Sequence, residues 1–455
     1  MNFALLLPFL CVQADVSTPT FAEEARALAD QYVVAERVMG LSVGVIAPGG
    51  EVTSFGVGRL SGSQDETPDE RTLYELGSIS KVLTGVLLAD SVVRGEVQLD
   101  DTVQSLLPAG VKLGEHRKGP MCLVHLTTHS SGLPRMPKNF DLAYTSKAWS
   151  DYGTDELYEF LSGFEPKREP GSRYAYSNLA AGLLGHLLGL KAGVPYEALL
   201  TDRLCAPLGM VDTRLALDEF QQKRFAAGHD ANLDEADAWN MSVLAPCGGV
   251  RSSVADMLLF LSANLEGDSK LDEQLTFART IHSKHKGAQA PVGLGWHLAG
   301  DGSTRIHSGQ TGGYHSYIAV NTELDVGVIV LANTTSGHID GLGNSLVNLA
   351  LGVKLPGPDF KPVVTLASEQ LEHFVGRYVA KDQLTLEISR KDTKLYAQVE
   401  GPGQGLFRVL PVSSTSFEYA ELKATVDFEL AEAGRVKELV FRQNGAEFHC
   451  KPQTE

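Results

Sequence analysis

Ser78 and Lys81 stand three residues apart in the run GSISK, at the start of a segment whose apolar positions recur with helical spacing. Residues three apart on a helix share a face, so this spacing puts a hydroxyl beside an amine. A serine hydroxyl becomes a nucleophile when a base removes its proton, and a lysine can do so once desolvation or a nearby cation leaves it neutral. The free N–H groups of a helix start add stabilisation for negative charge on an attacked carbonyl oxygen. The spacing alone is a weak signal. Ser283 and Lys286 repeat it in the charged stretch IHSKHKG, which reads as a solvated surface segment.

Two further groups could join Ser78. Tyr176 and Asn178 precede the apolar run LAAGLLGHLLGL; a phenol can relay a proton where cations lower its pKa, and an amide can bind a substrate carbonyl or orient the lysine. His307, Ser308 and Gly309 fall in a strand-like stretch, where Gly309 permits close backbone approach and His307 and Ser308 offer a positive or hydrogen-bonding edge. Taken singly, Tyr-Ser-Asn reads equally as a turn and helix N-cap, and His307 as a surface histidine at a strand end.

The elements that must position these groups are legible in outline. Residues 42–59 predict a hairpin turning at Pro48, Gly49 and Gly50, and residues 78–94 a helix stopped by Gly95. Strands are expected in 305–334, separated by Gly312-Gly313 and by 321–324, with a helix at 342–351. The loop-rich middle, with Pro134, Pro137, Pro166 and Pro170, is where a cleft can be built. The fold class expected is α+β: an antiparallel sheet flanked by helices with an inserted helical subdomain, followed by an all-β barrel-like domain. Three prolines and a glycine at 355–362 mark a linker. Beyond it Leu384, Leu386 and Ile388, then Val426, Phe428 and Leu430, alternate with polar residues as half-buried strands do. The domains read as 1–14 signal peptide, 15–355 catalytic body, 356–362 linker and 363–455 β-domain.

Composition narrows the classes. A net charge of -17 without a basic run argues against a nucleic-acid partner. Residues 1–14 are apolar and end in Val12-Gln13-Ala14, which reads as a short secretory signal despite lacking a Lys or Arg near its start; the expected location is secreted or periplasmic. Residues 179–190 are too short to cross a bilayer and read as a buried helix, so no integral membrane span is expected after signal removal. Cys122, Cys205, Cys247 and Cys450 are too widely spaced for a zinc knuckle or redox pair, leaving one disulfide or free thiols. His125 and His129 lie four apart in HLTTH but lack the Glu of a zinc-peptidase helix, so no metal and no cofactor is expected.

In the order Ser-x-x-Lys, Tyr-x-Asn and His-x-Gly, the three groups resemble the motif set of the class C β-lactamase and serine DD-peptidase family. The resemblance extends to LVHLTTHSSGLP at 123–134, APLGM at 206–210 and GGVRSSVADM at 248–257, and covers roughly residues 25–350. It implies Ser78 as acylated nucleophile, Lys81 and Tyr176 as proton-transfer partners, and Asn178 as a substrate contact. It also implies the His307–Ser308–Gly309 strand as cleft wall, an oxyanion hole from the N–H groups of Ser78 and Gln310, and a lipocalin-like C-terminal domain. The substrate implied is a β-lactam or a D-Ala-D-Ala-type amide, a small molecule or peptide that includes peptidoglycan fragments. One departure stands out: family members of the β-lactamase kind carry Lys-Thr-Gly where this chain has His-Ser-Gly, as certain DD-carboxypeptidases, D-aminopeptidases and esterases do. A fixed ammonium is thereby expected to give way to a group partly charged near neutral pH. A carboxylesterase and a non-catalytic peptidoglycan sensor are the alternatives. The absence of a Gly-x-Ser-x-Gly elbow around Ser78 disfavours an α/β-hydrolase.

Overall fold

The computed structural model describes residues 19–267, 269–283, 291–381, 383–401 and 404–453. The signal segment and Lys286 lie outside the described residues.

The first hairpin pairs Gly40–Ala47 with Glu51–Gly58, and its turn needs Gly49 and Gly50, at φ +89° and +81°, a region that side chains with a Cβ rarely enter. Together with the strands of 305–332 it builds one antiparallel sheet in the order Glu51–Gly58, Gly40–Ala47, Val326–Ala332, His315–Asn321, Arg305–Gln310, His297–Leu298. Alternation along the strands feeds two cores. Ile329 and Leu331 join helices Ser80–Val93, Asn178–Ala192 and Val254–Leu265 on one face; Val328 and Val330 join Phe21–Val34 and His338–Ala350 on the other. The chain between helix Ser80–Val93 and the strand at His297 is largely helices and loops, inserted between strands of the same sheet.

Two expected boundaries move. The segment beginning at Ser78 opens as a 3-10 turn, Gly77–Ile79, before the α-helix Ser80–Val93, and Gly95 ends it at φ +70°. The helix placed at 342–351 starts earlier, at His338, because Ile339 as well as Leu342 and Leu346 packs on the sheet. The apolar run after Asn178 is a buried helix, Asn178–Ala192, capped by Ser177 Oγ accepting from the Ala180 N–H at 3.0 Å and ended by Gly193 at φ +71°. Among the described residues no helix is long and apolar enough to cross a membrane. The four described cysteines are free thiols.

Residues 353–367 carry no helix or strand. Eight strands from Gly376–Ala380 to Ala446–Pro452 then close into an up-and-down antiparallel barrel, each paired with its sequence neighbour. Leu386, Ile388, Ala397, Phe417, Phe428 and Phe441 are buried in its core. The barrel docks on the α+β body through polar contacts. Arg37 Nη1 donates to the carbonyls of Tyr419 and Ala420 at 2.8 and 2.7 Å, and Arg408 bonds to both the carboxylate and the carbonyl of Glu36. Glu421 accepts from Ser336 Oγ at 2.8 Å and from the Gly337 N–H at 3.1 Å.

Candidate active site

The 3-10 turn presents Ser78 half-buried at the mouth of a cleft of about 630 Å³, with Lys81 one turn on and 3% exposed behind it. Lys81 Nζ donates to Ser78 Oγ at 2.9 Å and to the Cys247 carbonyl at 2.6 Å. Tyr176 OH donates to the same Ser78 Oγ at 2.7 Å. The amine also lies 4.9 Å from the centre of the Tyr176 ring, and the Arg135 guanidinium 5.1 Å from it. A serine oxygen is thus held by two groups that can each take or return a proton, the arrangement an activated nucleophile requires.

Close packing fixes the opposite wall. Gly309 lies so near the turn that a Cβ there would be 2.0 Å from the Leu76 carbonyl oxygen and 2.3 Å from Ser316 Oγ. Gly77, at φ +50°, sits against the next residue of the same strand, where a Cβ would be 2.5 Å from the Gln310 nitrogen. Ser316 Oγ donates to the Leu76 carbonyl at 2.7 Å. His307, Ser308, Gly309 and Gln310 line the cleft with Ser78, Tyr176 and Asn178, so all expected site residues except the buried Lys81 face one cavity. The side-chain hydrogen bond of Asn178 goes to Met136 Sδ at 3.6 Å, and not to Lys81.

The expected charge at His307 is corrected. The ring is buried, and burial first, then His297 and Lys81, hold its pKa well below the ordinary histidine value. Its Nδ1–H donates to the Ser308 carbonyl at 2.6 Å, which fixes the tautomer and leaves Nε2 as a buried acceptor with no partner. The sequence shows a histidine in place of a lysine; only the fold shows that it is walled off from water.

Several cleft residues carry no signal in the sequence. His129 stands at φ +54° beyond the short helix Leu123–Thr127, so it does not share a helix face with His125, and its ring lies 4.4 Å from that of Tyr176. His297 contacts His307 at 4.9 Å between ring centres, and its Nε2 and Tyr174 OH are 3.0 Å apart. Burial, reinforced by Lys81, lowers His297 to about 4 and His129 well below its ordinary value. Trp149 and Trp239, 5.1 Å apart, form an aromatic wall. Glu75, buried three residues before Ser78, accepts from the Trp239 N–H at 2.8 Å and from Arg251 at 3.3 Å, and burial raises its carboxyl pKa. A spacing rule cannot find these residues because they converge from distant loops.

Comparison with known proteins follows the same division of the chain. A family profile described as Beta-lactamase matches residues 25–351, and one described as a domain of unknown function (DUF3471) matches residues 361–454. A beta-lactamase of Pseudomonas fluorescens is 27% identical over 336 residues, covering 65% of this chain and 88% of the relative. The D-alanyl-D-alanine-carboxypeptidase/endopeptidase AmpH of Escherichia coli K12 is 26% identical over 333 residues, 70% of this chain and 85% of that protein. A beta-lactamase/D-alanine carboxypeptidase structure from Yersinia pestis, complexed with citrate, has a TM-score of 0.63 at 25% identity, covering 72% of this chain and 99% of its own. The counterpart from Pseudomonas syringae has a TM-score of 0.63 at 22% identity, covering 74% and 99%, and bears on fold alone.

Proposed function

The chain belongs to the Beta-lactamase family, and on that premise we propose that it hydrolyses its substrates through an acyl-enzyme on Ser78. It is a serine hydrolase of the β-lactamase and DD-peptidase kind. The observation that carries the residue assignment is the convergence of Lys81 Nζ and Tyr176 OH on Ser78 Oγ at 2.9 and 2.7 Å.

In this reading Ser78 Oγ attacks the substrate carbonyl carbon as its proton passes to the Lys81 and Tyr176 pair. The N–H groups of Ser78 and Gln310 receive the developing oxyanion, a role supported by the close packing of Gly77 against Gln310. The same pair returns a proton to the departing nitrogen or oxygen, and then activates water against the acyl-enzyme. Asn178 and Ser308 contact the acyl substrate from the two walls.

The substrate class proposed first is a β-lactam or D-Ala-D-Ala-type amide, with peptidoglycan fragments as the natural source and a secreted or periplasmic location inferred from the leader-like residues 1–14. The second reading, a carboxylesterase, is favoured by the neutral His307, which supplies no fixed charge for a substrate carboxylate. Mass spectrometry after a fluorophosphonate or penicillin probe tests the nucleophile: one adduct on Ser78 is expected, and labelling that survives Ser78→Ala refutes it. A turnover panel of nitrocefin, a D-Ala-D-Ala peptide and short nitrophenyl esters ranks the classes; fast ester turnover alone would reverse the order given.

A further inference from the structure

Charge in the cleft is sparse and unevenly placed. Among the described residues and histidines aside, its lining holds one cation, Arg135, and one carboxylate, Asp340. Asp340 lies in the first turn of helix His338–Ala350, where the helix dipole favours negative charge, and its side chain is 45% exposed. Its Oδ1 accepts a hydrogen bond from His315 Nε2 at 3.0 Å, and among the described residues no lysine or arginine is within ion-pair distance of it. His315 is 4% exposed and pairs with Gln310 across the strands, so the two residues border the Gln310 end of the substrate strand.

His315 Nδ1 is buried with no partner, so the hydrogen bond the ring makes among the described residues is the one between Nε2 and Asp340. His307 Nε2 is likewise buried with no partner. The charged group this wall turns toward the cleft is therefore the Asp340 carboxylate, with no lysine or arginine within ion-pair distance of it among the described residues.

We propose that His315 and Asp340 form a subsite for an ammonium group of the substrate and disfavour a carboxylate at that end of the cleft. An ammonium carries donors and positive charge, matching the Asp340 carboxylate that His315 holds in place; a carboxylate would meet like charge. The proposal deepens the serine hydrolase reading and rests on it for the identity of the cleft.

The test uses three ligands of similar size that differ in charge: D-alanine p-nitroanilide acylated with 4-aminobutyrate, butyrate or succinate. Calorimetry at pH 8 on the full chain carrying Ser78→Ala measures binding without turnover. Affinity should fall in that order, by roughly ten-fold between the ends of the series, the size of one charge-assisted hydrogen bond. Asp340→Asn should flatten the series, with unchanged melting temperature as evidence of folding. Equal affinities, tightest binding of the succinyl ligand, no binding by any of the three, or an order that persists in Asp340→Asn overturns the subsite. Absence of a fluorophosphonate adduct on Ser78 in the unsubstituted chain would instead defeat the hydrolase reading and leave the binding order standing.

Discussion

Gly309→Ala adds one methyl group where the structure has no room for it. Its Cβ would lie 2.0 Å from the Leu76 carbonyl oxygen, against the 3.0 Å below which such contacts essentially never occur, so strand and turn must separate by about 1 Å. The atom struck is backbone of the segment leading into Ser78, and cannot swing aside as a side chain would. Overpacking of this kind costs about 1–3 kcal/mol of stability, and a 1 Å misplacement of reacting groups costs about 100-fold in rate. The expected outcome is a lower melting temperature with turnover reduced by roughly that factor, read on whichever substrate of the panel turns over fastest. Gly110→Ala is the control, since a Cβ there meets nothing within 4 Å and should leave both quantities unchanged. Native turnover and native melting in Gly309→Ala would refute the claim that close packing of this strand on the Ser78 turn sets the catalytic geometry.

Lys81→Ala and Tyr176→Phe should each remove most of the turnover, while the double variant loses little more than either alone because the two act on one oxygen; a double variant that lost the product of both factors would show independent roles. The buried histidines should make the protein acid-sensitive. Where a folded pKa lies below the unfolded value, the unfolded chain takes up the proton first, so stability is full above pH 6.5 and declines as pH falls toward about 4 for His297, by about 3 kcal/mol. Urea midpoints between pH 7.5 and 4.5 check this, and His297→Asn should flatten the slope. Binding of anionic ligands should show no step at pH 6–7 arising from His307, since that ring stays neutral throughout; a step abolished by His307→Ala would contradict this. Glu421→Ala removes two hydrogen bonds at the start of the helix bearing Asp340, so it should cost about 1–2 kcal/mol of stability and raise KM more than it lowers kcat.

What the sequence made legible was local. Ser78 and Lys81 announce themselves because both lie within one helical turn, and the first hairpin because two glycines fall where a tight turn needs them. The barrel strands show because polar and apolar residues alternate along a wall with one dry face. Leu386 and Ile388 are buried as that alternation requires. Convergence was not legible. Arg135, Trp239, His297, His315 and Asp340 reach the cleft from five separate segments, with His129 behind Tyr176, and no periodicity relates them. The protonation of His307 was misjudged for the same reason, because burial in the fold lowers its pKa first and the charges of His297 and Lys81, from other segments, lower it further. The helix start at His338 was missed because Gly337, its N-cap residue, makes no side-chain capping bond; the barrel's Glu421 accepts the Gly337 N–H instead.

That last contact bears on what the barrel does for the cleft. Its loop at Glu421 holds Ser336 and Gly337, and the next turn carries Asp340, which in turn orients His315 at the end of the substrate strand. A second set of contacts runs through the loop after Gly228–His229. Asn232 Oδ1 accepts from the Arg408 N–H at 2.8 Å, and Lys394 Nζ donates to the carbonyls of Asn232 and Leu233 at 3.1 and 3.2 Å. That loop leads into Trp239, on the aromatic side of the cleft. Two walls of the cleft are therefore tied to the barrel, whose closed core includes Phe417, Phe428 and Phe441. Individually such polar contacts contribute about 1 kcal/mol each. Acting together on segments without regular structure, they set where Trp239 and Asp340 stand relative to Ser78. Ser78, Lys81 and Tyr176 belong to the α+β body alone, so in the proposed reaction the barrel's influence falls on which substrates fit and on how they are held, and much less on the proton transfers at Ser78.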